Sequence, residues 1–305
     1  MLYVRPGRRL RQGRGRRTPF PDAMRRRAVI SRLEAKDVLR RVGTQPDEDI
    51  DLAEAALALA ALEQPEAELD RYRDHLSLLA REVAELNPPE EDSLEARVAA
   101  LQDVLVARHG YEGDTLTYDD IQNANMMRVI DRKKGLPVAL GILFIQSARA
   151  QGWSIFGLNF PGHFLVRLEY AGERIIIDPF NQGQARSVME LRDLLKIAAG
   201  ADAELTPEYY ATVGNRDILL RLQNNLKLRF LKADRVDKAV EVLDGMLLFA
   251  PGEATLWRES GLLNAHVGNL AAAVNALETF MELGGNDLLR HQTALLIQQL
   301  KTRLN

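Results

Sequence analysis

The chain has 305 residues, 46% of them hydrophobic, a formal net charge of -3 and no cysteine. The length allows two domains or three small ones, and the hydrophobic share is that of an ordinary globular protein. Lack of cysteine excludes disulfides, thiol catalysis and cysteine-held metals, and it fits a cytoplasmic chain. No apolar run reaches the ~18 residues of a membrane span.

The charge is unevenly placed. Arg5, Arg8, Arg9, Arg11, Arg14, Arg16, Arg17, Arg25, Arg26 and Arg27 face only Asp22 in the first stretch, which leaves a body of about -12. An acidic body offers nucleic acid no basic surface on average. Residues 1 to 27 hold too few apolar side chains to build a core, so 1–44 is expected to be a basic, disordered tail. Nucleic acid is a partner only through that tail. The stretch lacks the apolar core of a secretory signal. It also reads as a solvated extension, with Met24 as an alternative first residue.

Residues 45–107 form an expected helical segment. Asp51 to Gln64 is an Ala/Leu helix with an acidic start, which suits the helix dipole. A second helix is expected from Pro65 to Leu86, with Leu69, Tyr72, Leu76, Leu79 and Val83 on one stripe. His75 reads as a surface residue of that helix. Asn87-Pro88-Pro89 breaks it. Ser93 is an N-cap for a helix from Leu94 to Arg108. His109 then sits where a cation meets the C-terminal end of the dipole.

Residues 108–208 carry the centre of the argument. Residues 111 to 122 are polar and turn-like, and Asn123 to Lys134 reads as a short helix. Lys134-Gly135-Leu136-Pro137 is a turn, with Pro137 suited to a first helical turn. Val138 to Ala150 is apolar on nearly all sides, which marks a central helix, with Gly152 as a candidate C-terminal cap. Phe164 to Tyr170 and Arg174 to Ile177 are strand-like around Ala171-Gly172. A two-residue loop there pairs Tyr170 with Glu173 and sets His163 on a diagonal with Asp178. A three-residue loop shifts the register by one and separates them, unless a bulge corrects it. The expected fold is α+β, with this helix against an antiparallel sheet. Gln182 to Ser187 is a loop, Leu191 to Ala198 a helix and Gly200 to Thr206 a link.

A helix, a strand with histidine and a strand with aspartate follow the order of a thiol triad in a transglutaminase-like (papain-like) core. Asn123, Asp131-Arg132-Lys133-Lys134-Gly135-Leu136-Pro137, Asn159-Phe160-Pro161-Gly162-His163-Phe164-Leu165-Val166-Arg167 and Asp178-Pro179-Phe180-Asn181 carry a resemblance to the transglutaminase-like superfamily. Within it the chain resembles the SirB-type bacterial family, which joins such a domain to tetratricopeptide repeats. The resemblance covers roughly residues 45 to 305. It implies His163 as a base and Asp178 as its orienter, with Asn123, Pro137, Asn159, Phe180 and Asn181 around the site. It also implies a cysteine nucleophile at the start of the central helix. That position falls on about Pro137, beside Val138 and Ala139. The family's Asn-Ser-Tyr-Leu stands here as Asn123-Ala124-Asn125-Met126.

Residues 209–305 repeat. Leu222, Ala239-Val240 and Leu243 recur 34 positions on as Leu256, Ala273-Val274 and Leu277, the period of tetratricopeptide helix pairs. Two units and a terminal helix are expected to pack onto the core. His266 and His291 lie in helical stretches and need no role. No histidine or carboxylate sits at ligand spacing near His163, and Gly135 and Gly141 lack the spacing of a phosphate loop, so neither metal nor cofactor is expected. Two functions follow. One is a non-enzymatic protein- or peptide-binding chain on a degenerate core. The other is an amide or ester hydrolase that uses His163 and Asp178 with water in place of cysteine.

Overall fold

The structure is a computed structural model that describes residues 31–64, 67–88, 90 and 92–304. The Arg-rich stretch 1 to 27 lies outside the described residues. Part of the expected tail is folded, however. Helix α1 (Arg32–Thr44) opens on a Ser31–Glu34 capping box and buries Ala35, Leu39 and Val42. A stripe of apolar residues at helical spacing was present there, beneath the basic composition. The tail boundary at 44 is corrected accordingly.

Helices α2 (Leu52–Glu63), α3 (Leu69–Leu86) and α4 (Leu94–Gln102) follow. The described part of α3 starts at Leu69, later than Pro65, which lies outside the described residues. Ser93 Oγ accepts from the Ala96 N–H at 3.1 Å and caps α4, which continues as a π-turn over Asp103–Arg108. The short parallel strands β1 (Glu112–Gly113) and β2 (Lys134–Gly135) pair beside helix α5 (Met126–Arg132). Asn123 and Asn125 break the helix expected over 123 to 134: Asn123 sits in a 3-10 turn, and Asn125 caps α5 through its side chain.

Helix α6 (Pro137–Arg149) is the buried centre, with Pro137 in its first turn. Gly152 has φ +74° just past its end, as a glycine-terminated helix requires. Strands β3 (Ser154–Leu158), β4 (Val166–Tyr170), β5 (Glu173–Asp178), β6 (Gln184–Ala185) and β7 (Thr212–Val213) form an antiparallel sheet in the order β6-β5-β4-β3-β7. Tyr170 pairs with Glu173 across the two-residue loop, whose Ala171 and Gly172 both have positive φ. This is the hairpin twist that such turns favour. Ile155, Val166, Leu168 and Ile177 join the main core with α6. Leu158, Leu165 and Ile176 face the other way, onto Leu191 and Leu195 of helix α7 (Val188–Ala199). The expected loop over 182 to 187 contains β6, and the sheet reaches beyond residue 208 to take β7 from the segment assigned to the repeats.

Helices α8 (Asn215–Lys232) with α9 (Val236–Phe249), and α10 (Ala254–His266) with α11 (Leu270–Leu283), are the two repeat units, closed by α12 (Asp287–Leu304). Ala239 and Ala273 are both fully buried at the 34-residue offset. The first unit docks on the core: both Asp47 carboxylate oxygens accept from the α8 backbone, at Asn215 and Arg216, 2.7 and 2.8 Å. Arg149 of α6 donates to Asn215 at 2.7 Å.

His75 is half-buried rather than exposed. Its Nε2 lies 2.8 Å from the Tyr111 hydroxyl and 3.0 Å from Lys133 Nζ. Burial first, then the charge of Lys133, pushes its pKa down to about 4. The helical stripe hid this because Tyr111 and Lys133 arrive from distant segments. A histidine held neutral resists protonation that the unfolded chain accepts, so stability is full above the unfolded value near 6.5 and falls as pH drops toward 4. His75→Gln is expected to flatten the acid limb of urea-unfolding midpoints between those values. An unchanged limb refutes this.

Candidate functional site

The site starts at a corner. Gly162 has φ +67° between Pro161 and His163, and its Cα packs so tightly on Ala198 of α7 that a side chain there would collide. Phe164 follows, buried against Gly141 of α6 and Gly157 of β3. Leu158 N–H donates to the Leu165 carbonyl at 3.0 Å. The corner therefore presents His163 where β4 begins, while the hairpin register returns Asp178 at the end of β5.

His163 Nε2 lies 2.8 Å from Asp178 Oδ1. With Nε2–H donating, Nδ1 is the acceptor nitrogen of the neutral ring. Asp178 is fully buried and has five further donors. Arg186 reaches Oδ2 at 2.9 and 3.1 Å, Asn181 Nδ2 does so at 2.7 Å, and the Phe180 and Asn181 N–H groups reach Oδ1 at 3.2 Å. Burial alone raises a carboxyl pKa. The bonds from His163, Asn181 and Arg186 outweigh it and hold Asp178 below the usual range. The aspartate is thus a charged hub, and Arg186 supplies the opposite charge.

A cavity of about 200 Å³ lies beside His163, lined by Tyr118, Pro137, Val138, Gly162, Phe164, Arg221 and Asn225. Phe180 stands edge-on to His163 with ring centres 6.0 Å apart, and to Tyr118 at 5.8 Å. The side chains of Pro137 and Val138 are carbon only. Tyr118 supplies the cavity's one lining hydroxyl among the described residues.

Two residues expected around the site lie elsewhere. Asn159 is exposed just past the end of β3, and its N–H donates to Ala211 O at 2.9 Å. Asn123 is buried, and its amide is fully used: Nδ2 donates to Thr117 O at 2.7 Å and Arg132 donates to Oδ1 at 2.8 Å. It is not free to stabilise an oxyanion. Its own carbonyl accepts from Leu136 N–H at 3.0 Å and sets the turn into α6. The rest of that motif is structural too. Asp131 accepts from Tyr72 at 3.0 Å, Arg132 reaches Asp114 at 3.0 Å, and Lys133 donates to Tyr111 at 3.1 Å.

A model described as the transglutaminase-like superfamily matches residues 70–224, about half of the chain. The chain belongs to the transglutaminase-like superfamily. A tetratricopeptide-repeat model matches residues 226–300. A UPF0162 protein of Vibrio cholerae is 33% identical over 245 residues, covering 79% of this chain and 90% of that one. A UPF0162 protein of Xylella fastidiosa is 29% identical over 249 residues, covering 79% and 87%. The human F-box only protein 21 is 27% identical over 181 residues, covering 55% of this chain and 28% of that protein. Among solved structures, menin matches with a TM-score of 0.41 and 10% identity, over 83% of this chain and 70% of menin's.

Two functional neighbours in this transglutaminase-like core escaped sequence reasoning. Arg186 lies eight residues past Asp178, and only the β5–β6 pairing brings it back. Arg221 comes from α8 in the first repeat and donates to the Phe160 and His163 carbonyls at 3.1 and 2.6 Å. No local pattern marks a residue that acts across 58 positions of chain.

Proposed function

We propose that this chain is a non-enzymatic, SirB-type protein- or peptide-binding member of its superfamily, with a degenerate core and tetratricopeptide repeats. One observation carries the reading: Pro137 and Val138 stand where acyl-transfer chemistry needs a nucleophile, within the same cavity as His163. Water in that place forfeits the covalent intermediate. It also needs oxyanion donors, often worth about 3–4 kcal/mol, and the Asn123 amide is already engaged. The repeats support binding, since stacked helix pairs form concave surfaces for other polypeptides. No helix among the described residues is long and apolar enough to cross a membrane.

Turnover of p-nitrophenyl esters and peptide anilides is the test, with wild type and His163→Ala side by side. The expected rate equals that of buffer for both. A rate above buffer that His163→Ala abolishes overturns the proposal in favour of a water-using hydrolase. On the binding side, peptides retained by wild type on an array should be lost by Val138→Trp, which fills the cavity.

A further inference from the structure

A larger cavity lies away from His163. It is a cleft of about 740 Å³ between the outer face of the sheet and α7. Arg167, Arg174, Arg186 and Arg192 line it, and none of its lining residues is acidic. In a body of about -12 this is a local reversal of charge. Arg167 is held by Glu169 and Arg186 by Asp178 and Glu190. Arg174 and Arg192 are exposed and make no ion pair among the described residues. Between these charges lies an apolar floor of Ile176, Leu191 and Leu205, and Thr206 brings a buried hydroxyl without a hydrogen-bond partner among the described residues.

The backbone adds a second feature. The hairpin register makes Tyr170–Glu173, Leu168–Ile175 and Val166–Ile177 the mutually bonded pairs. Arg174 and Ile176 therefore aim their N–H and C=O groups at the other edge of β5. Ile176 O is met there by Arg186 N–H at 2.8 Å. β6 ends at Ala185, and Ser187 already caps α7, so among the described residues no strand continues alongside Arg174. The open edge borders the basic cleft.

We propose that this cleft docks an extended acidic peptide. The peptide extends the line of β6, bonds to the Arg174 backbone, sets carboxylates against Arg174 and Arg192, and seats an apolar side chain on Ile176, Leu191 and Leu205. Strand addition supplies affinity through main-chain bonds, while alternate side chains read the pockets. Free guanidinium groups suit carboxylates through paired hydrogen bonds. The edge favours a peptide over a small anion, because a small anion has no backbone to complete the ladder. This site is separate from the His163 cavity and does not depend on how that cavity is used.

The test is fluorescence anisotropy with a labelled hexapeptide of alternating glutamate and leucine, against its lysine–leucine counterpart. The glutamate peptide is expected to bind the full-length chain, and to bind less tightly as salt is raised. Arg174→Glu with Arg192→Glu should weaken it at least tenfold, at two exposed positions where folding is little disturbed. Arg303→Glu, near the end of α12, should leave it unchanged. A backbone N-methylated probe checks the strand geometry without altering the protein, and it should lose most of its affinity. No binding, equal binding of the lysine peptide, insensitivity to the double charge reversal, full binding of the methylated probe, or tighter binding of an RNA oligonucleotide would each overturn the proposal.

Discussion

Replacing Asp178 with alanine is expected to destabilise the fold by about 3–5 kcal/mol, the cost of removing one partner from a buried charge pair. Two cationic or polar groups are stranded at once. Arg186, whose side chain is 13% exposed, loses its main anion, and His163 loses the acceptor of its Nε2–H. The Phe180 and Asn181 N–H groups lose their acceptor as well. Asp178→Asn keeps the shape and some acceptors, so it should cost less. The pH dependence has a definite sign. The folded-state pKa of Asp178 is depressed, so its contribution is present above the unfolded carboxylate value and is lost as pH falls through the folded one. Urea-unfolding midpoints for wild type and both variants, taken from neutral to acid pH, measure this. A loss under about 1 kcal/mol for the alanine variant at neutral pH would mean that water replaces the carboxylate, and that the hub is not structural.

Arg221→Met is the second large effect. The guanidinium of Arg221 crosses from α8 to the Phe160 and His163 carbonyls and lies 5.4 Å over the Phe164 ring. Methionine keeps much of the apolar length and removes both donors. Each carbonyl left unpaired costs about 1–3 kcal/mol if it stays buried. The loss should concentrate at the corner. Amide hydrogen exchange is expected to speed up over 160 to 165 and along the first turns of α8, while the far units α10 to α12 remain as in wild type. Arg221→Lys should rescue only in part, because one ammonium does not reproduce a planar fork. Uniform destabilisation of the whole chain, with no local change at the corner, would remove Arg221 as the tie between the repeats and His163. If the tie holds, the first repeat is part of the site's scaffold. A partner that bends α8 would then move the corner.

Several features were decided by sequence alone, since local rules govern them. Ala171-Gly172 marks a hairpin between two strands; the sequence left loops of two and three residues open, and the observed two-residue loop carries His163 to Asp178. The apolar run after Pro137 can only be a buried helix. The 34-residue recurrence of Leu222, Ala239 and Leu243 can only be helix pairs. The absence of cysteine needs no structure at all. Tertiary structure decided what depends on partners far along the chain. His75 looked like a surface residue until Tyr111 and Lys133 met it. The basic composition of 1–44 concealed the buried stripe of α1. Asn123 and Asn159 stood in motifs near the site and turned out to serve the backbone instead. Arg186 and Arg221 carry no local signal, because what a guanidinium does is set by the carbonyls and carboxylates that packing delivers to it. Periodicity fixes which face a side chain occupies; only the assembled core determines what that face meets.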